Sequence, residues 1–386
     1  MSQAMKKLPF AANYSFLCLF TTSKVNIFHE SWWTPLDYLR AINYLVDQYE
    51  LYGPAHETKI SETLDHILSN LVMQGSKNML DLRTIIEEGF KYKFDCIIDK
   101  KVNETEETMN KLMPFRRVAI TPSKIEVEFP TLSMPNRAIR THRKQGENFL
   151  RVSFQTEDHN RGMYRDDDDP VLKHIKDIML NGFDLCGKKF KFLHYSNSQM
   201  RSHSCWFMHE TENLKYEDFI KTLGDFNNCK LVSKNASRKG QAFSSAIKAA
   251  TLEVGTELQE IDDIKTFDDK YTFTDGIGYI EPTLLNKIAF ITYKYPVISA
   301  IQIRMGGYKG VLMGCNMLEM GVKVYARPSM RKFEMDDKKV DLEVVRLATY
   351  AAGYLSKQII VMLWANGVDS TVMLNMQKWY VDELIA

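Results

Sequence analysis

Residues 273–280 read FTDGIGYI, residues 299–313 read SAIQIRMGGYKGVLM, and residues 325–330 read YARPSM. Apolar residues alternate along these runs, the period of a strand with one buried face. Glycines punctuate them. Gly276 and Gly278 bracket an apolar residue, and Gly306 and Gly307 precede Tyr308, Lys309 and Gly310. Glycine lets a backbone turn tightly or approach another group closely. Arg304 and Arg327 lie near the strand-like runs. Arginine and lysine suit phosphate oxygens, arginine as a two-pronged donor and lysine as a point charge. The same spacing also fits a Gly-rich barrel corner with solvated basic residues, and on spacing alone both readings stand.

Working outward, strands are expected near Thr272–Ile280, Ala300–Met305, Lys309–Met313 and Val322–Ala326. Short strands joined by Gly-rich crossings point to a closed barrel. Upstream, Phe190, Phe192 and His194 are expected on one strand face, with a helix around Tyr216–Leu223. Period-two patterns also mark Arg117–Phe129 and Phe149–Phe154. Pro170 opens a predicted helix that turns Val171, Ile175, Ile178 and Met179 inward and stops at Gly182. The segment before residue 110 reads as mostly helical: Thr34-Pro35 starts a run of Leu36, Leu39, Ile42, Leu45 and Tyr49, and Ile60–Leu71 carries a second stripe. Trp32 and Trp33 are expected as packing anchors. Leu342–Asn366 reads as one or two helices that stop near Gly367.

The 386 residues suffice for two or three domains. A composition of 45% hydrophobic and 26% charged residues argues against disorder. The net charge of +1 supplies no global field toward nucleic acid, so contacts of that kind require local patches. Two candidates are Arg137/Arg140/Arg143/Lys144 and Lys323/Arg327/Arg331/Lys332; either also fits a solvated face. Six scattered cysteines without a CxxC pair fit reduced intracellular thiols. LPFAANYSFLCLF after Lys6 and Lys7 has some signal-peptide character. Asn13 and Ser15 interrupt it and no clean cleavage site follows, so an intracellular location is expected, cytoplasmic or nuclear. No apolar stretch is long enough to span a bilayer.

PFRRVAITPSKIEVEFP (114–130), SMPNRAIRTHRKQGENFLRVSFQTED (133–158), KFKFLHYSNSQMRSHSCWF (189–207), SRKGQAFS (237–244), the opening stretch and LSKQIIVMLWANGVDSTVMLNMQ (355–377) occur in collinear order. Over roughly residues 112–386 the chain resembles the cellular RNA-dependent RNA polymerases of eukaryotic RNA silencing. Together with the helical reading of region 1–110, the resemblance implies an α+β protein in four parts: that helical region, a slab-like α/β segment 111–185, one of two double-psi β-barrels over 186–341, and a helical segment 342–386. It implies RNA-directed RNA polymerisation, with single-stranded RNA as template and nucleoside triphosphates as substrates, and Dicer and Argonaute machinery as partners. It also implies Mg²⁺ in the intact enzyme, held by an Asp-x-Asp-Gly-Asp motif. No such motif occurs in this sequence. The chain therefore reads as an amino-terminal portion of a polymerase, expected to be inactive alone. The competing reading is a catalytically inactive RNA-binding or regulatory homologue.

Phosphoryl transfer needs carboxylate-held metal on one side and cations that neutralise phosphate charge on the other. By the resemblance this chain supplies the cationic half. Lys309 is the first candidate, with Arg304 and Arg327 beside it as electrostatic stabilisers. Lys332, Arg201, Arg238 and Lys287 are candidate nucleotide or RNA contacts, although each also fits a structural or solvated role. Asp275 reads as a turn residue. Asp166–Asp169 read as a solvated run. His194, His203, Cys205 and His209 match no zinc spacing, so no metal ligand is expected here.

Overall fold

Val118, Ile120, Leu150, Val152 and Phe207 are all buried, so alternation in this part of the chain does produce strands with an inward face. The computed structural model describes residues 5–21, 35–52, 61, 63–65, 82–88, 112–157, 170–293, 298–335, 337–349 and 356–385. Trp32, Trp33, Ile60, the Ile67–Leu71 end of the second predicted stripe, Cys96 and Asp166–Asp169 lie outside them. The chain divides into a unit of residues 1–347 and a second of residues 348–386.

The first unit contains two sheets. One is built from β1 (Met113–Ile120), β2 (Ile125–Ser133), β3 (Phe149–Phe154), β4 (Phe183–Leu185), β5 (Lys188–His194) and β6 (Ser204–Met208), in the order β2-β1-β3-β6-β5-β4. Only β1 and β3 run parallel in it. A bulge in β5 between Phe192 and His194 turns both Leu193 and His194 inward. One core contains Val118, Val127, Leu150, Phe190 and Phe207; another contains Phe115, Phe149, Trp206, Phe219 and Phe243. The predicted helices α4 (Pro170–Asn181) and α6 (Tyr216–Lys221) form; α3 (Arg137–Arg140) and α5 (Asn197–Arg201) are short turns between strands.

The signal-like stretch is a core helix, α1 (Phe10–Thr21). Phe10, Tyr14 and Cys18, four residues apart, pack on the first sheet, while Leu8, Ala12 and Phe16 pack against Ala41, Ile42 and Leu45 of α2 (Pro35–Tyr52). An apolar helix buried on two faces reads like a leader in sequence because no polar face shows. The residues that break the run are themselves bonded inside: Asn13 Nδ2 donates to the Met5 and Leu8 carbonyls at 2.7 and 2.9 Å. The Tyr14 hydroxyl accepts from the Arg117 amide at 2.7 Å and lies 2.6 Å from the Glu128 carbonyl, stitching α1 to β1 and β2. Among the described residues no helix is long and apolar enough to cross a membrane.

The second sheet is β7 (Ile247–Glu253), β8 (Leu258–Glu260), β9 (Ile277–Ile280), β10 (Ala300–Met305), β11 (Tyr308–Gly314), β12 (Val324–Ala326) and β13 (Lys339–Leu347), in the order β7-β13-β10-β11-β9-β12-β8. Its outermost strands, β7 and β8, are consecutive in sequence and joined by a short turn with a Val254–Leu258 bridge. The sheet must therefore curl to bring its ends together. Ile280, Ile301, Ile303, Met305, Leu312, Val324 and Leu342 fill the inside, with α8 (Pro282–Tyr293) adding Leu285, Ile288 and Ala289. Leu342–Leu347, expected as the start of a helical tail, are strand. LEVVRL pairs on both sides, and its apolar positions 342, 344, 345 and 347 hold neither a strict alternation nor a single helical stripe to decide it. Helix in the tail begins instead at α9 (Lys357–Ala365), capped by Ser356, and continues with α10 (Ser370–Ile385) in the second unit.

Candidate functional site

β10 and β11 form a hairpin whose turn is Gly306-Gly307, with Arg304 and Lys309 as direct cross-strand partners. Direct partners in an antiparallel pair project from the same face, close together. The inward alternation of Ile301, Ile303 and Met305 therefore puts Arg304 on the opposite face, next to Lys309. Lys332 joins them, because its amide donates to the Gly307 carbonyl at 2.8 Å and anchors the 328–333 segment on the hairpin. Burial pulls the Lys309 amine below the usual lysine value, and the neighbouring Arg304 and Lys332 charges pull it further. Burial likewise lowers the Arg304 guanidinium. Its Nη1 donates to the Ile303 carbonyl at 2.8 Å, and its Nε is buried without a partner among the described residues.

Among the described residues, none of Arg304, Lys309 and Lys332 forms an ion pair with a carboxylate. Nearby cations do: Lys323 pairs with Glu257 and Arg331 with Glu260, each at 2.6 Å. Three mutually repelling, partly desolvated cations are costly in an empty protein and favourable once an anion sits among them. Such a cluster is chemically suited to phosphate.

The glycines serve the backbone itself. A Cβ on Gly310 would stand 2.2 Å from the Gly276 carbonyl oxygen, and one on Gly307 would stand 1.8 Å from that of Phe333. The close approach they permit is strand against strand and turn against hairpin. It is what folds the basic segment onto the sheet.

Arg327 differs from the other three. It is 3% exposed, stacks 5.2 Å from the Tyr279 ring and donates through Nη1 to the Asp262 carbonyl. It holds the turn from behind and does not face solvent. In front of it, Asp263 accepts from the Ser329 amide at 2.9 Å, the Ser329 hydroxyl at 2.7 Å and the Thr274 hydroxyl at 2.9 Å. Partial burial raises the Asp263 carboxyl, but these bonds and the Arg327 charge outweigh it and hold it below the ordinary carboxylate range. Sequence reasoning misses Asp263, since one Asp in a loop carries no spacing signal. Asp275 is exposed in the turn that precedes β9, and Gly276 donates to Ser329 Oγ at 3.0 Å.

Of the remaining candidates, Arg238 on α7 (Val232–Lys239) lines a cavity of about 280 Å³ with Lys332, Arg331, Phe226, Cys229 and Glu260. It thus shares a hollow with one member of the cluster. Arg201 is exposed at the end of α5, with Nε directed at the Asn197 carbonyl of its own helix. Lys287 lies on the exposed side of α8. Arg201 and Lys287 are therefore not brought to the cluster by any described contact.

The Arg137/Arg140 half of the first basic patch is internal rather than a nucleic-acid face. Arg137 Nη2 donates to the Leu223 carbonyl at 2.8 Å. Arg140, 4% exposed, pairs with Glu343 and donates to the Ala246 carbonyl at 3.1 Å. Arg140 ties α3 to the curled sheet, a role no sequence spacing encodes because its partner Glu343 stands 203 positions away. His194 stacks on Phe243 at 5.3 Å, while His209 Nδ1 faces the Lys189 carbonyl. Among the described residues no group of three or more His, Cys, Asp or Glu could hold a metal ion. A magnesium ion does not fit the basic cluster itself, where like charges would repel it.

The sequence model of a family described as "RNA dependent RNA polymerase" matches residues 120–386. RNA-dependent RNA polymerase 1 of Arabidopsis thaliana is 31% identical over 380 residues, covering 91% of this chain and 33% of the relative. A probable RNA-dependent RNA polymerase 1 of rice (Oryza sativa subsp. japonica) is 35% identical over 268 residues, 66% of this chain and 35% of its own length. The chain thus spans about a third of these curated relatives. Among solved structures, the RNA dependent RNA polymerase QDE-1 from Thielavia terrestris superposes with a TM-score of 0.53 at 17% identity, over 72% of this chain and 34% of that one. A family match running through both sheets and the basic hairpin, together with that shared fold, places the chain in the RNA-dependent RNA polymerase family.

Proposed function

We propose that the chain is the part of an RNA-directed RNA polymerase that supplies cations to phosphate during template-directed synthesis. The template is single-stranded RNA, the substrates are nucleoside triphosphates, and the product is complementary RNA used in small-RNA silencing with Dicer- and Argonaute-type partners. The curled seven-stranded sheet is the double-psi barrel that carries no metal ligands. One observation supports this reading above the others: Arg304, Lys309 and Lys332 meet on the hairpin, and among the described residues none of them is ion-paired to a carboxylate.

In this role Lys309 contributes a point charge and Arg304 a planar fork of donors to the same phosphate group. Lys332 sits on the rim, and Arg238 extends the positive lining into the adjoining cavity. Arg327 is assigned a positioning role, holding the 328–330 turn through Tyr279 and Asp262. Magnesium in the intact enzyme belongs to carboxylates outside this cluster, and the cluster's own contribution is neutralisation of phosphate charge. In the polymerase that contains this chain, Lys309→Met is expected to lower nucleotide incorporation by roughly tenfold or more, the value of a charge-assisted hydrogen bond. Unchanged incorporation would remove Lys309 from the site. Retained RNA binding without any incorporation by the same polymerase would favour the inactive RNA-binding homologue.

A further inference from the structure

Glu343 on β13 is the direct cross-strand partner of Arg304 on β10, which in turn is the partner of Lys309 on β11. The three side chains therefore leave the same face of the sheet in a row. Direct partners have Cβ atoms roughly 5 Å apart, so the Glu343 carboxylate lies within reach of the Arg304 guanidinium. On its other side Glu343 is in register with Lys248 of β7, whose amine is taken by Asp341 at 3.1 Å. Left alone, Glu343 has an obvious partner in Arg304, and that pairing would cancel much of the cluster's charge. Instead its carboxylate is held by Arg140, which reaches in from α3, with side chains 3% and 4% exposed. Burial lowers the Arg140 guanidinium only to about 10, so it remains charged at neutral pH.

We infer that Arg140 is a positioning residue for the phosphate site: by sequestering the Glu343 carboxylate it keeps Arg304 free for an anion. This rests on the reading of the cluster as a phosphate site. It gives the buried ion pair a task beyond tying α3 to the curled sheet. A buried pair is weak support for stability in itself, since desolvation offsets its attraction.

The test uses the 386-residue chain, with inorganic triphosphate and a short labelled single-stranded RNA as probes. Thermal unfolding checks that each variant is folded. Arg140→Met is expected to weaken binding of both probes roughly tenfold or more, because the released carboxylate neutralises Arg304. Glu343→Gln alone is expected to bind as tightly as the parent. The double variant Arg140→Met/Glu343→Gln is expected to recover to within about threefold, since no carboxylate then remains to release. A purely structural pair shifts the melting temperature of Arg140→Met and leaves the affinity of its folded fraction equal to the parent's. Either that result or a double variant whose folded fraction binds no better than Arg140→Met overturns the inference. Should Arg140→Met fail to fold, Arg140→Lys gives the second reading. It removes the fork, weakens binding several-fold, and is rescued by Glu343→Gln; no rescue overturns the inference. Lys309→Met separates the two layers. If it leaves binding unchanged, the phosphate site itself is wrong and this inference falls with it. If it weakens binding while Glu343→Gln rescues nothing, only the role of Arg140 is wrong.

Discussion

Lys309 carries the cost of the site in its own ionisation. Burial first, then Arg304 and Lys332, disfavour its charged form. A lysine whose folded-state pKa lies below the ordinary value of about 10.5 makes the folded chain less stable while both states are protonated. Stability should therefore rise as pH climbs from the depressed value toward the ordinary one. Anion affinity should fall over the same window, because phosphate needs the protonated amine. Lys309→Met removes the repulsion and should raise the melting temperature while weakening RNA binding roughly tenfold. Thermal melts and RNA titrations on the same samples check both signs. A variant that binds more weakly and also melts lower would mean that Lys309 is a packing residue.

At the level of elements, the hairpin and its crossing turns decide whether the cations meet. Gly310→Ala should cost about 1–3 kcal/mol, since its Cβ collides with the rigid Gly276 carbonyl. Gly276→Ala meets nothing within 4 Å and bears only its positive φ of 74°, a penalty of about 1–2 kcal/mol. Urea unfolding should rank the two in that order, with RNA affinity reduced only by Gly310→Ala at concentrations where both are folded. The alternation of Ile301, Ile303 and Met305 is legible in the sequence, and so is the placement of Arg304 and Lys309 on neighbouring strands. β13 and α1 are not. LEVVRL, with Glu343 and Arg346 set among its apolar residues, keeps no single period, and α1 is buried on two sides, so neither shows the regular stripe that marks a surface element. The Arg140–Glu343 pair is beyond sequence reading altogether, because register between β10 and β13 brings it to Arg304 and no local pattern encodes that register. Arg327 is legible as basic and near a turn, but its inward direction follows from Tyr279 and Asp262, which only folding assembles.

Across the molecule, the first unit depends on joints between remote segments. Tyr14 ties α1 to β1 and β2 through one hydroxyl that serves the Arg117 amide and a strand carbonyl. Tyr14→Phe leaves that buried amide unsatisfied and should cost about 1–3 kcal/mol without altering RNA affinity, as read by denaturant midpoint and binding on the same protein.

The measurement that bears most directly on the cationic hairpin is the salt dependence of single-stranded RNA binding by the 386-residue chain and by Arg304→Met/Lys309→Met. Removing one cation that touches an RNA phosphate should reduce the slope of log affinity against log salt by about 0.7. With both cations removed, the complex is predicted to be weaker and its slope shallower by roughly 1.4. Equal affinity and an equal slope for the two proteins would contradict the assignment of the hairpin to phosphate.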